Sequence, residues 1–222
     1  MKKIALFLSA AAFLTACNSG AEADKAATTD AQTVASTEGV LFAIDSSTSV
    51  TWLGSKPVGD SHNGTFKVLD GSLTLKDSIL TAGSFSIDIN SMNNIDLAAD
   101  ADSKGKLEGH LKSADFFDVA KYPTAKFEIT GVEVFVADSS NKDLKIADAT
   151  HTIKGNLTLK DSTKNIAFPA KVTIGATNIT AFADFNIDRT LWGMNYKGPN
   201  NPQNWIINRD VNIKLNISAT KK

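Results

Sequence analysis

From Val40 onward the chain alternates apolar and polar residues with a period of two and hardly stops. Ser84-Phe85-Ser86-Ile87-Asp88-Ile89 sets its apolar residues at odd positions, and Ile153, Gly155, Leu157 and Leu159 stand against Thr152, Lys154, Asn156 and Thr158. Ile166, Phe168, Ala170, Val172 and Ile174 continue the pattern, followed by Ala181, Ala183, Phe185 and Ile187. Val211, Ile213, Leu215 and Ile217 close it, with Asn212, Lys214 and Asn216 between them. Successive side chains of a strand point to opposite faces, so each run reads as an antiparallel strand with one dry and one wet face. About eight such strands are expected, and strands with a single apolar face must close on themselves or pack against a second sheet. An all-β antiparallel barrel is the first expectation and a sandwich the second.

The phase of the pattern slips once. Phe127 and Ile129 are odd, whereas Val132, Val134 and Val136 are even, with Gly131 at the change. A glycine bulge there would bend the strand and return the valines to the apolar face. The string LTLKDS occurs at residues 73–78 and again at 157–162. Its flanks diverge, so it reads as two hairpins sharing polar turn chemistry around Asp77-Ser78 and Asp161-Ser162 rather than as an internal repeat.

Two segments break the alternation. Residues 90–123 run too long for a hairpin loop, and Leu107 and Leu111 stand four apart with Ser103 as a candidate cap. A short helix near residues 95–117, lying across the sheet or over one barrel end, is expected. Residues 188–204, DRTLWGMNYKGPNNPQN, hold turn-forcing Gly193, Gly198, Pro199 and Pro202 beside Trp192, Met194 and Tyr196. Those side chains need something to pack on.

The beginning of the chain has a different character. Lys2 and Lys3 precede an apolar run from Ile4 to Leu14, and Leu14-Thr15-Ala16-Cys17 ends it. Residues 1–16 read as an export signal, too short for a membrane span. LTAC followed by Asn18 resembles a bacterial lipobox, in which Cys17, the single cysteine, becomes the acylated first residue and anchors the protein to a membrane. Residues 18–39 hold Val34 as their one large apolar residue, so residues 17–39 are expected to be the acylated cysteine and a flexible tether. Residues 40–222 would then be the barrel domain.

Charge and composition remove several functions. The chain has 222 residues and a formal net charge of −1, its basic residues scattered, which argues against a nucleic-acid-tracking surface. His62, His110 and His151 are too few and too dispersed for a metal triad. There is no GxSxG elbow, phosphate-cradling glycine loop or dinucleotide fingerprint. No catalytic residue, metal or resident cofactor is expected, although His62, His110 and Asp115 could still meet in space on a scaffold that does not forbid catalysis. A barrel of about eight strands is either filled by its own side chains or holds one small ligand. The inward set mixes bulky Phe85, Ile87, Phe127, Phe168 and Phe185 with small Ala170, Ala183 and Gly155, and both outcomes stay open.

The stretch HLKSADFFDVAKYPTAKF at residues 110–127 resembles the signature of the YceI-like family. Phe42-Ala43-Ile44-Asp45, His62-Asn63-Gly64-Thr65-Phe66, Gly155-Asn156-Leu157-Thr158-Leu159-Lys160 and Asp188-Arg189 before Trp192-Gly193 agree in order, over about residues 40–219. The resemblance implies an exported, lipocalin-like antiparallel barrel, in a family with members that hold a long polyisoprenoid chain. On that reading Phe85, Ile87, Phe127, Leu157, Phe168, Ala183, Phe185, Phe116, Phe117 and Trp192 are cavity candidates. His110 and Arg189 are candidates for a polar head group, with a local role favoured for His110 and Asp115. The family commonly has Asp-Phe-Gly after the arginine, and Leu191-Trp192-Gly193 stands in this region, which leaves the mouth of the pocket and the ligand open. The expected partners are an apolar lipid and, through Cys17, a membrane; the oligomeric state is left open. The alternative is a filled barrel presenting Trp192, Tyr196 and Trp205 to a protein partner in the cell envelope.

Overall fold

The computed structural model describes residues 23–137, 146–199 and 207–222. The expected export signal, Cys17, residues 200–204 and Trp205 lie outside them. The strands are β1 (Asp24–Lys25), β2 (Ala27–Asp30), β3 (Val40–Ile44), β4 (Ser49–Ser55), β5 (Ser61–Lys76), β6 (Ile79–Asn94), β7 (Thr124–Val134), β8 (His151–Leu159), β9 (Ser162–Ile174), β10 (Asn178–Asp188) and β11 (Asp210–Lys221). The α-helix α1 (Ala101–Lys112) joins β6 to β7, and a short 3-10 turn, Arg189–Trp192, follows β10.

β3 and β4 share one place in the sheet, since both pair with β11 on one side and β5 on the other. From there the antiparallel order β5, β6, β7, β8, β9, β10, β11 returns to the start, so eight positions close into a barrel. β5 and β6 pair along nearly their whole length with three register shifts, each a point where an extra residue bends the pair round the barrel. The inward residues are the apolar members of the alternation, and they form one contiguous core. The bulge foreseen at Gly131 is present, as a register shift between Ile129 and Gly131. It returns Val132, opposite buried Ile153, to the core face, where it is partly buried against the core, but Val134 at the end of β7 and Val136 beyond it are exposed.

Two further expectations need correction. Asp100, rather than Ser103, caps α1: its carboxylate accepts the Ser103 backbone N–H at 3.1 Å and the Ser103 hydroxyl at 2.6 Å. The sequence reading took the donor of the pair for the cap. The segment read as a flexible tether is built into the sheet over residues 24–30. β9 and β10 pair directly over only four residue pairs, Ile174 with Ile179 through Lys171 with Phe182, and then separate. β1 fills the gap against Phe185 and Asn186 of β10, and β2 against Ala167 through Lys164 of β9. Ala26 is buried between them, its N–H donating to the Asn186 carbonyl at 2.9 Å. The strap continues past β8, where Gln32 exchanges hydrogen bonds with the Asn156 side chain at 3.0 and 2.7 Å, and Ala35 N–H then reaches the Ile129 carbonyl at 3.0 Å. Main-chain hydrogen bonds hold such an added strand, so a weakly apolar sequence can form it.

Candidate functional site

The inward side chains divide the barrel along its axis. Toward the end bearing α1, a cavity of ≈ 220 Å³ lies among Val50, Trp52, Phe66, Ile87, Ile166 and Leu215, and its other lining residues are also mostly apolar. Toward the opposite end Leu73, Ile129, Ile153, Val172 and Ile179 fill the interior, and none of these lines the cavity. A tier of phenylalanines separates the halves. Phe85 and Phe127 have ring centroids 5.4 Å apart, Phe127 and Phe168 are 5.9 Å apart, and Phe168 stacks on Phe185 at 4.0 Å with planes 10° apart. Gly155 makes room for this tier, because a Cβ there would stand 2.2 Å from the Phe127 ring.

The mouth is made of α1, the turn that follows it, the β4–β5 hairpin and the start of the β10–β11 connection. Leu107 and Leu111 of α1 face the cavity, and Phe117 meets Phe66 edge-on at 5.7 Å. Lys56, Asp60, His62 and His110 give the rim its polar character. His62 Nδ1 lies 2.7 Å from Asp96, whose carboxylate also accepts from Asn63 N–H at 2.8 Å and the Asn94 amide at 2.7 Å. Burial works against the charge on Asp96, but these hydrogen bonds outweigh it and hold the carboxyl below its usual range. His110 Nε2 lies 3.1 Å from Asp115, and its ring stands edge-on to Phe116 at 5.2 Å and Tyr196 at 4.7 Å. Each histidine thus has its own carboxylate, the local role favoured for His110 and Asp115. Among the described residues no group of three or more histidine, cysteine or carboxylate side chains could hold a metal ion.

Phe85, Ile87, Phe127, Leu157, Phe185, Phe116, Phe117, His110 and Arg189 all border the cavity. Three candidates do not. Phe168 lies beneath Phe185, and Ala183 belongs to the filled half. Trp192 is fully buried, with its indole N–H donating to the Leu157 carbonyl at 3.0 Å, so it fastens the β10–β11 connection to β8 and is withdrawn from any surface partner. Arg189, expected near a head group, spends its donors on its own connection: Nε on the Asn208 carbonyl at 3.0 Å, Nη1 on Met194, and Nη2 on Tyr196 at 3.0 Å and Ile207 at 3.2 Å. Its guanidinium also lies over the Phe116 ring, and burial pushes its pKa below the ordinary arginine value. It folds the mouth rather than reading a ligand.

Sequence reasoning missed Trp52, Val50, Phe66, Ile166, Ile213 and Leu215 as lining residues. Alternation had marked several as inward, but which inward residues stand near the mouth depends on strand register and barrel shear. Trp52 has a further property: its indole nitrogen is buried and has no hydrogen-bond partner among the described residues. A buried donor left unpaired costs about 1–3 kcal/mol. A ligand oxygen beside it would recover that.

Such an architecture, an eight-position antiparallel barrel hollow at one end under a helical lid, defines a lipocalin-like class of barrel. The YceI-like domain matches residues 42–219, and the chain belongs to that family. Protein YceI of Salmonella arizonae is 34% identical over 109 residues, covering 49% of this chain and 48% of that protein. A UPF0312 protein of Azotobacter vinelandii is 33% identical over 108 residues, covering 49% of this chain and 47% of that protein. The match spans about half the length of these curated relatives. Among solved structures, Burkholderia cenocepacia BcnA superposes with a TM-score of 0.60 at 18% identity, over 79% of this chain and all of that one. A polyisoprenoid-binding domain from Saccharophagus degradans, implicated in plant cell wall breakdown, gives 0.57 at 15% identity over 82% of this chain and 99% of its own. At these identities the two structures establish the shared fold.

Proposed function

We propose that this protein is an exported, membrane-tethered lipid-binding protein that takes the chain of an apolar, polyisoprenoid-like molecule into the mouth half of its barrel and performs no chemistry on it. The observation that carries the reading is the cavity: apolar walls, a polar rim and an opening at one end, in a barrel whose other end is solid. Transfer of an apolar chain from water into such a space is favourable by about 25 cal/mol per Å² buried. Family membership and the likeness to a structure described as polyisoprenoid-binding support it. The LTAC-Asn sequence supports acylation at Cys17.

Native mass spectrometry of the whole protein, purified from the cells that make it and extracted with organic solvent, tests both parts. A co-purifying prenyl or related lipid is expected, together with an intact mass that places an acylated cysteine at the N-terminus. Protein that is clean as isolated and takes up no added prenol would overturn the lipid-binding reading. An unmodified Cys17 would overturn the tether.

A further inference from the structure

We infer that the phenylalanine tier is a ruler, and that it limits the inserted chain to about ten carbons, or two isoprene units. This rests on the lipid-binding reading above and gives it a chain length. On β6, β7, β8 and β10 the last lining residues before the filled half are Phe85, Phe127, Leu157 and Phe185, and Ile166 and Leu215, opposite Gly155 and Ala183, also border the cavity from β9 and β11. The next inward positions, Gly83, Ile129, Gly155 and Ala183, do not border the cavity. From Ile89, the last residue of β6 to line the cavity, to Phe85 is four residues, about 13 Å of strand and about 10 Å along the axis of a barrel with strands tilted near 40°. The volume agrees. An apolar cavity of about 150 Å³ holds one benzene ring, and pockets that enclose drug-sized ligands run to about 300–1,000 Å³. At ≈ 220 Å³ this cavity falls between them.

The tier is also closed from below and from the side. Phe168 is 3% exposed and lies face to face with Phe185, and Phe127 fills the space over Gly155. Phe168 and Phe185 sit where β9 and β10 part, and there the N-terminal strap takes up the pairing: Asp24 stands opposite Phe185, and Ala27 opposite Ala167, next to Phe168. Passing the tier would require parting a seam that residues 24–30 hold on both edges. Packed interiors yield in discrete rearrangements rather than by continuous stretching, so the tier acts as a stop.

The test is displacement of a fluorescent fatty-acid probe from the full-length, delipidated protein by prenols of one to nine isoprene units. Each methylene that finds room contributes about 0.8 kcal/mol, roughly fourfold in affinity. Affinity is therefore expected to climb steeply up to about two units and then flatten or fall. In Phe185→Leu, which removes a ring from the tier and keeps an apolar side chain, the break moves to a longer chain. A climb that continues through four units and beyond in the native protein would overturn the ruler while leaving lipid binding intact. Failure to bind any prenol would overturn the lipid-binding reading and the ruler with it.

Discussion

The two halves of the barrel are cut from the same alternating strands and differ in what meets on the axis. In the half away from the mouth, small inward residues such as Ala170, Ala183 and Ala219 share one core with Leu73, Ile129, Ile153 and Val172, and the interior is solid. In the mouth half the inward residues are mostly large, yet space remains between Trp52, Phe66, Ile87 and Leu215. Small inward residues therefore do not mark the hollow. They mark where large neighbours or the opposite wall come close, as Gly155 does under Phe127. The hollow arises where a helix and turns, rather than strands, close the end of the barrel, because these span the opening without filling it.

Substitutions that break or sharpen this contrast can be ordered by size. Phe168→Ala removes a ring from the solid side of the tier and is expected to cost about 3–5 kcal/mol of unfolding free energy in urea titration. Phe117→Ala at the mouth, where the side chain is only partly buried, is expected to cost about 1 kcal/mol and to weaken lipid binding more than stability. Equal costs would mean that the halves are packed alike. Next comes Arg189→Met, which leaves four backbone carbonyls of the β10–β11 connection without their donor. A loss of about 2–4 kcal/mol is expected, with proteolysis of the connection preceding global unfolding.

Ala26→Asp sets a charge in the buried seam and should cost about 1–3 kcal/mol, shifting the urea midpoint and releasing hydrogen-exchange protection on the separated edges of β9 and β10 first. Trp52→Phe removes a donor that nothing in the described protein satisfies. Stability should hold or rise slightly, and the preference for a prenol over the hydrocarbon of equal length should shrink by about three- to tenfold. The smallest effect concerns pH. Because the Asp96 carboxyl is held below its usual range in the folded protein, its contribution is complete above the unfolded value near 3.9 and is lost as pH falls through the lower folded value. Asp96→Asn should therefore narrow the stability gap between pH 7 and pH 3 seen in thermal melts, leaving the filled half unaffected.

How far the sequence reaches is clearest in the repeated string LTLKDS. In both copies the leucines point inward, as alternation demands. In the first copy the strand runs through Lys76 and the turn is Asp77-Ser78, both with positive φ. In the second the strand stops at Leu159 and the turn is Lys160-Asp161, with positive φ at Lys160, one place earlier than the sequence reading set it. The following residues decide: Leu80 must return to the core in one hairpin and Ile166 in the other, and each turn takes the offset that brings its own partner strand into phase.

The amino-acid sequence by itself determined the faces of the strands, the barrel class, the bulge at Gly131 and the helix in the β6–β7 connection, since each follows from local periodicity or backbone preference. The tertiary structure alone decided which inward side chains line a cavity, since that depends on which residues of distant strands share a level. It also drew residues 24–30 into the β9–β10 seam, because the attraction there is of main-chain donors and acceptors that every sequence carries. Arg189 makes the same point from the other side: its charge is plain in the sequence, but only the folded connection shows that four carbonyls had already claimed it.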